Sequence, residues 1–492
     1  MAPPSARALA ALALGAAVVT CSLLAPAPAP AAPGTSPVAP VAPRVPDILA
    51  HDILKELIEI NTTDSTGNVT TAAEAVRKRL LEAGFPESDL TLLGPNDRKK
   101  NLVVRLHGTG KHKPLLLMGH LDVVEARRED WSTDPFKLTE QGGYFTGRGT
   151  LDMKSNDAIM ARTLIRLRKE HFQPARDIIL ALTADEEGGT SNGVDWLLRN
   201  HRDLIDAEYV INPDTNSVVS DNGVPQFFEI DGTEKIYADY QLTVTNPGGH
   251  SSIPKPDNAI YILADALTRL EHFQFPFELN NVTRGFYEQM ATVETGQRQA
   301  DMRVILQAAP DKQAITRLSR EPRDNANFRT TCVATRLEAG HANNALPQKA
   351  QATVNCRILP GHSPEEVRQD LIAVVGNANI AVRYLAIDGK VMDNAPGEKG
   401  LAPQSLDPDF LRVLRQVVDT LWPKLTVVPT MDKGASDGVY TEPAGMPTYE
   451  FDGIAIDREN DGRHGRDERI GIQAFYTANE FFYRLIKALT NH

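Results

Sequence analysis

Cysteine is nearly absent from this 492-residue chain, with only Cys21, Cys332 and Cys356 present. Three are too few for a disulfide framework, and none of the spacings is the short paired one of a cysteine zinc site. A basic excess is also missing. Lys and Arg total 52 against 64 acidic residues, a formal charge of −12, so nothing is left over to neutralise phosphates and nucleic acid is not an expected partner. The apolar and charged fractions, 41% and 24%, rule out a wholly disordered, collagenous or multi-span membrane chain. At roughly 150 residues per domain the chain has room for two domains and a sizeable core. With so little cysteine, carboxylates and histidines must hold any metal.

The N-terminus carries Arg7, an apolar stretch over 8–25 and a Pro/Ala-rich run over 26–46. The pattern predicts a signal peptide over 1–25 and a stiff linker over 26–46, hence a secreted or periplasmic protein with no stable membrane span after cleavage. Two alternatives stay open. The apolar length also permits an uncleaved anchor, and the context of Cys21 loosely resembles a bacterial lipoprotein box.

Beyond the linker, helical and extended patterns alternate. Leu49, Ile53, Leu54, Leu57 and Ile58 recur at helical spacing, and a second helix over 71–83 stops at Gly84. Continuous apolar runs at 102–106, 115–118, 178–182 and 209–211, separated by helical stretches at 158–167 and 194–198, predict an α/β domain with a mostly parallel buried central sheet. Near Thr233 the pattern changes: strand-like alternation over 237–245, a helix over 259–270 and extended runs at 327–337 and 350–359 predict an α+β module with an antiparallel sheet. Helix and strand resume near Leu406. The expected organisation is a first domain in two parts, 47–232 and 389–492, with the second module inserted over 233–388.

The chemistry-bearing residues stand where the apolar runs end, the edge at which open α/β sheets bind ligands. They are His120 and Asp122, then Asp152 in the glycine-rich Gly147 to Lys154 segment, the acidic run Asp185-Glu186-Glu187, Asp214, and far downstream His464. Each has a plainer explanation alone: a satisfied core histidine, a helix-capping Asp152, a solvated acidic turn. Together they supply two histidines, three carboxylates and a spare glutamate, a set that fits two zinc ions sharing a bridging carboxylate.

The chain closely resembles the M20 family of metallopeptidases, which includes glutamate carboxypeptidases, aminoacylases, succinyl-diaminopimelate desuccinylases and carnosinase-like dipeptidases. The resemblance rests on Gly119-His120-Leu121-Asp122, Gly147 to Lys154, Asp185-Glu186-Glu187-Gly188, Gly248-Gly249-His250-Ser251-Ser252-Ile253-Pro254, Asn344-Ala345-Leu346-Pro347, Asn355 to Gly361, Gly434-Ala435-Ser436-Asp437 and His464 to Ile470, in family order over nearly all the chain after the linker. It implies a zinc-exopeptidase-like catalytic domain and an inserted lid that dimerises. It also implies a two-zinc site, with cobalt or manganese as alternative metals. His120 and Asp214 would be terminal ligands of one ion, Glu187 and His464 of the other, with Asp152 the bridge. Many relatives carry Glu-Pro where this chain has Asn212-Pro213-Asp214, and Asp214 is chosen over Asn212 because an amide is the poorer zinc ligand. Glu186 resembles the general base on a metal-bridging water, Asp122 the carboxylate that orients His120, and His250 an oxyanion donor supplied by the neighbouring subunit of a homodimer. Arg357 resembles a lid arginine that grips the substrate carboxylate, and Asn344, Gly434 and Ser436 resemble further positions near that carboxylate or the oxyanion.

The activity so implied is hydrolysis of the amide bond in peptides or N-acyl amino acids with a free C-terminal carboxylate, of the carboxypeptidase type. A dipeptidase or small-acyl deacylase remains an alternative. So does a non-catalytic binding protein, though neither Glu186 nor any ligand is missing. Finally, if the runs flanking 344–347 pair antiparallel, Cys332 and Cys356 lie equidistant from residue 344 and would face each other; a register slip of one residue would separate them. An exported protein would oxidise such a pair.

Overall fold

The computed structural model describes residues 47–215, 217–399, 406–457 and 462–491. The expected signal peptide, linker and Cys21 lie outside them. Among the described residues no helix is long and apolar enough to cross a membrane.

The central sheet has six strands in the order Leu90–Leu93, Asn101–Leu106, Ile178–Thr183, Leu115–His120, Tyr209–Ile211 and Thr448–Tyr449. The last four run parallel, and the first two join antiparallel at one edge. Every residue of Leu115–His120 and Ile178–Thr183 is buried. Alternate side chains enter different cores: Leu115, Leu117, Leu180 and Leu182 pack with the helices Ile48–Glu59, Lys154–Lys169 and Ile472–Leu489, whereas Leu116, Met118, Ile179 and Ala181 pack with Gly193–Asn200. Burial on both faces is why these strands read as continuous apolar runs.

A second sheet, ordered Thr426–Asp432, Val224–Glu234, Val218–Asp221 and Ala455–Asp457, stands beside the first. Four helices, Asn281–Val293, Gly296–Ile305, Lys312–Leu318 and Pro322–Phe328, pack against it through Tyr287, Met290 and Phe328 on Val219, Phe227 and Val428. These helices belong to the segment expected as one inserted module, yet they rest on the catalytic body. They also shorten an expected strand: residues 327–328 are helical and the extended run begins at Thr331.

The antiparallel sheet has five strands ordered Thr331–Ala339, Lys349–Ile358, Ile236–Thr245, Ile380–Leu385 and Val391–Met392, so its pairing continues past residue 388. Ala238, Tyr240, Leu242 and Val244 alternate inward with Ala352, Val354 and Cys356 under the helices Ala259–His272 and Pro364–Val375. Cys332 stands directly opposite Cys356, and the two form a disulfide. A bulge between Ala334 and Arg336 makes that pairing possible: on the loop side Arg336 faces Thr353 and Ala339 faces Ala350, a register that, continued, would set Cys332 opposite Arg357.

Candidate metal centre and active site

The strand Leu115–His120 and its parallel neighbour end together, His120 opposite Thr183, so the residues that follow emerge at one sheet edge. The helix Lys154–Lys169 packs so closely on this end that a Cβ at Gly119 would lie 2.4 Å from Asp157 Oδ1, which is why glycine precedes His120.

Asp152 stands just before that helix. It is not the cap; Met153 occupies the N-cap position, with no side-chain cap bond. The Asp152 carboxylate turns instead to the sheet edge, with Oδ1 3.1 Å from His120 Nε2 and Oδ2 3.0 Å from His464 Nε2. The His464 Nε2 atom is also 3.0 Å from Glu187 Oε1, and His120 Nε2 is 3.7 Å from Asp214 Oδ1. The five sequence-predicted ligands thus form two triads, His120–Asp152–Asp214 and Asp152–Glu187–His464, each with its ligand atoms within 4.8 Å of one another. Asn212, the rejected candidate, donates its amide to Glu450 at 3.3 Å.

The electrostatics suit cations. Burial and the charge of Asp152 push Asp214 to about 6. Burial opposes the imidazolium of His120, yet Asp214, Asp152 and Glu186 hold its pKa well above the ordinary value. Hydrogen bonds accepted by the Asp152 and Glu187 carboxylates raise His464 to about 10. Each triad offers an imidazole nitrogen and two carboxylates, the nitrogen and oxygen donors that zinc and related divalent ions accept.

Glu186 stands beside the triads without belonging to either, its Oε2 4.0 Å from His120 Nε2. Burial raises its pKa well above the ordinary range; His120 opposes this, and Asp214 and Asp437 add to it. Asp122 differs from expectation. The closest partner of His120 Nδ1 is the Asp122 backbone carbonyl at 3.0 Å, with the carboxylate Oδ1 at 3.8 Å. The carboxylate accepts the backbone N–H groups of Glu186 at 3.2 Å and Glu187 at 3.0 Å. It therefore fixes the loop that carries both glutamates, while its own carbonyl fixes the His120 ring.

The remaining expected residues fall elsewhere. His250 and Asn344 come together: Gly249–His250 pairs with Ala345–Leu346, and Ser251 N–H donates to the Asn344 carbonyl at 3.1 Å. His250 is exposed, and among the described residues its ring bonds to Ser252, with Nδ1 2.7 Å from the hydroxyl. Neither His250 nor Asn344 is brought to the triads of its own chain. Arg357 lies on the lid sheet opposite Tyr237, its guanidinium carbon 4.7 Å from that ring's centre. Gly434 sits where a Cβ would meet Asp432 Oδ2 at 2.8 Å. Ser436 is buried, its hydroxyl bonded to Glu450 and its N–H donating to Glu234 Oε2 at 2.6 Å, so it lies against an internal acidic cluster.

Sequence reasoning passed over the neighbour of Ser436. Asp437 is buried, accepts Asn192 Nδ2 at 2.6 Å and Thr183 Oγ1 at 3.3 Å, and its charge acts on Glu186. An acid at the end of the Gly434 to Asp437 motif was the available signal.

The model of peptidase family M20/M25/M40 matches residues 116–488. Human N-fatty-acyl-amino acid synthase/hydrolase PM20D1 is 30% identical over 386 residues, covering 76% of this chain and 74% of the relative. Probable carboxypeptidase S-like 2 of Dictyostelium discoideum is 27% identical over 396 residues, covering 76% and 71%. Among solved structures, the M20 family metallo-carboxypeptidase Sso-CP2 from Sulfolobus solfataricus superimposes with a TM-score of 0.66 at 17% identity, over 90% of this chain and 99% of that one. Human carnosine dipeptidase 1 gives 0.61 at 15% identity, over 91% and 98%. At these identities the two structures speak to the fold, which is the expected M20 one. The chain belongs to peptidase family M20/M25/M40, as a metallopeptidase or amidohydrolase acting on peptide or N-acyl amide bonds.

Proposed function

We propose that this chain is a secreted or periplasmic hydrolase that holds two divalent ions, zinc before cobalt or manganese. It would cleave the amide bond of an N-acyl amino acid or a peptide beside a free C-terminal carboxylate. The observation that carries the reading is the placement of Asp152 between His120 and His464, with Glu186 alongside but outside both triads.

Ions held by the two triads would polarise the scissile carbonyl and make a water acidic enough to attack at neutral pH. The chain's own residues do the rest. Glu186, whose burial raises its affinity for a proton, takes the proton from the attacking water and delivers it to the departing amine. Asp122 holds the Glu186 backbone so that this carboxylate stays aimed at the reacting atoms. His250 stabilises the developing oxyanion from the partner subunit of a homodimer formed through the lid; its exposed position beside Asn344 supports that reading. Arg357 supplies a planar fork suited to the substrate carboxylate. Among the relatives, the name N-fatty-acyl-amino acid synthase/hydrolase favours N-acyl amino acids as substrates here. The carboxypeptidase S-like relative favours peptides.

The test is a mass-spectrometric assay of the zinc-loaded chain lacking residues 1–46, given matched N-acyl amino acids, dipeptides and N-blocked dipeptides alongside their C-terminal amides. Loss of the free acids with the amides untouched is the expected result. Amides cut as fast as acids would remove carboxylate capture, and no cleavage in any pool would leave a binding protein.

A further inference from the structure

His464 is the ligand least anchored by the sheet. His120 ends one strand of the central sheet and Asp214 follows another, whereas the His464 side chain is 54% exposed and its backbone is left-handed, with φ of 58°. Something else must hold it at the right distance from Asp152, and a pair of buried charges does so.

Glu468 is fully buried and Arg148 is 2% exposed. One oxygen of Glu468 accepts the N–H groups of Leu151 at 2.6 Å and of Asp152 itself at 3.1 Å. The other accepts Gly149 N–H at 3.1 Å and Arg148 Nη1 at 2.6 Å. Nη2 of the same arginine donates to the carbonyls of His464 at 3.3 Å and Gly465 at 3.0 Å. Trp131 covers the guanidinium, 5.0 Å from ring centre to Cζ. The pair therefore ties the backbone of the bridging ligand to the backbone of His464, although Arg148 and Glu468 are 320 residues apart in sequence.

We propose that the Arg148–Glu468 pair is a positioning device for the second ion, setting the His464 loop against Asp152 so that the Asp152–Glu187–His464 triad closes. This rests on the two-ion reading above. A buried pair of this kind is expensive to desolvate and is poor evidence of stability in itself, but it fixes geometry where a flexible contact would not. Groups that hold a ligand without touching the metal typically change its affinity by about 10–100-fold. The first triad shares Asp152 with the clamp, but its other two ligands, His120 and Asp214, are carried by the central sheet, so it depends on the clamp less than the second triad, whose His464 backbone Arg148 holds directly.

The experiment titrates zinc into metal-stripped protein against a chromophoric chelator, for wild type, Glu468→Gln and Arg148→Lys, with circular dichroism and melting of each metal-free protein as the check on folding. The glutamine keeps the shape of Glu468 but has a single acceptor oxygen, so its amide NH2 must face one of the two donor pairs that the carboxylate accepts. The lysine keeps the charge but lacks the fork that reaches the two carbonyls. Wild type should take two ions. Both variants should bind the first within about threefold of wild type and the second at least about tenfold more weakly. If Glu468→Gln fails to fold, Arg148→Lys alone decides. Two ions in wild type with an unchanged second constant, or with both constants weakened alike, would overturn the clamp. A single ion in wild type would overturn the two-ion reading, and the clamp with it.

Discussion

The Oδ2 atom of Asp122 accepts the backbone N–H of Glu187 at 3.0 Å, which ties the residue after one strand end to a ligand after the next. Its Oδ1 does the same for Glu186 at 3.2 Å. A carboxylate can accept both bonds. An asparagine offers one oxygen and turns its amide NH2 toward the other N–H. Asp122→Asn should therefore loosen the Glu186–Glu187 loop, lowering kcat by about 10–100-fold and weakening the second ion more than the first. Steady-state kinetics with a zinc titration would show it. Weakening confined to the first ion would instead mean that the carboxylate acts on His120.

Glu186→Gln removes the proton acceptor and leaves all five candidate ligands in place. Turnover should fall by about 10²–10⁴-fold with zinc content unchanged. Near wild-type turnover in a protein carrying its full zinc would take the base assignment away from Glu186.

The parts of this molecule legible in the sequence are those governed by local periodicity. Leu115–His120 and Ile178–Thr183 announce themselves because burial on both faces demands unbroken apolar runs, and the ligands follow because strand ends are where such sheets expose chemistry. Equal offsets from residue 344 pointed to the Cys332–Cys356 pairing, and the count comes out right because the bulge between Ala334 and Arg336 shifts the register by one residue. What stayed hidden was set by contacts distant in sequence. Nothing local tells an arginine in a glycine-rich turn that it will meet Glu468, or tells the helix Asn281–Val293 which of two sheets its apolar face will cover. Asp122 stands beside His120 as expected, but which of its atoms does the bonding is a matter of side-chain direction that sequence spacing does not carry.

Without metal, the protein should lose stability as pH rises toward neutral. Burial pushes Asp122, Asp214 and Asp437 to about 6, and Asp231 and Asp452 to about 7, from an ordinary 3.8. Between those limits the folded chain binds more protons than the unfolded one, so the stability of the metal-free protein falls as pH rises from about 4 to about 7. A cation in the first triad favours the ionised carboxylate of Asp214 and competes with its proton, so added zinc should stabilise most at the upper end of the window. Thermal melts in chelator and in zinc across pH 5–7.5 would test this. A chelated protein that melts higher at pH 7 than at pH 5 would contradict it.

His250 is exposed, and the role proposed for it across subunits can be tested with mixed chains. His250 and Asn344 share one small two-stranded pairing, held by the Ser251-to-Asn344 bond, and are not brought to the triads of their own chain. If His250 serves a neighbour's active site, each site of a homodimer combines the triads and Glu186 of one chain with the His250 of the other. His250→Ala alone should then cut turnover by about 10²–10³-fold, the usual cost of an oxyanion donor, with zinc binding intact. Glu186→Gln alone is inactive for a different reason. In a heterodimer of the two variants, one site has both defects and the other has neither. Co-expressed chains carrying different affinity tags, isolated as confirmed heterodimers, should recover close to half of wild-type activity, far above either parent. If heterodimers are no more active than the homodimeric variants, His250 does not act across the interface.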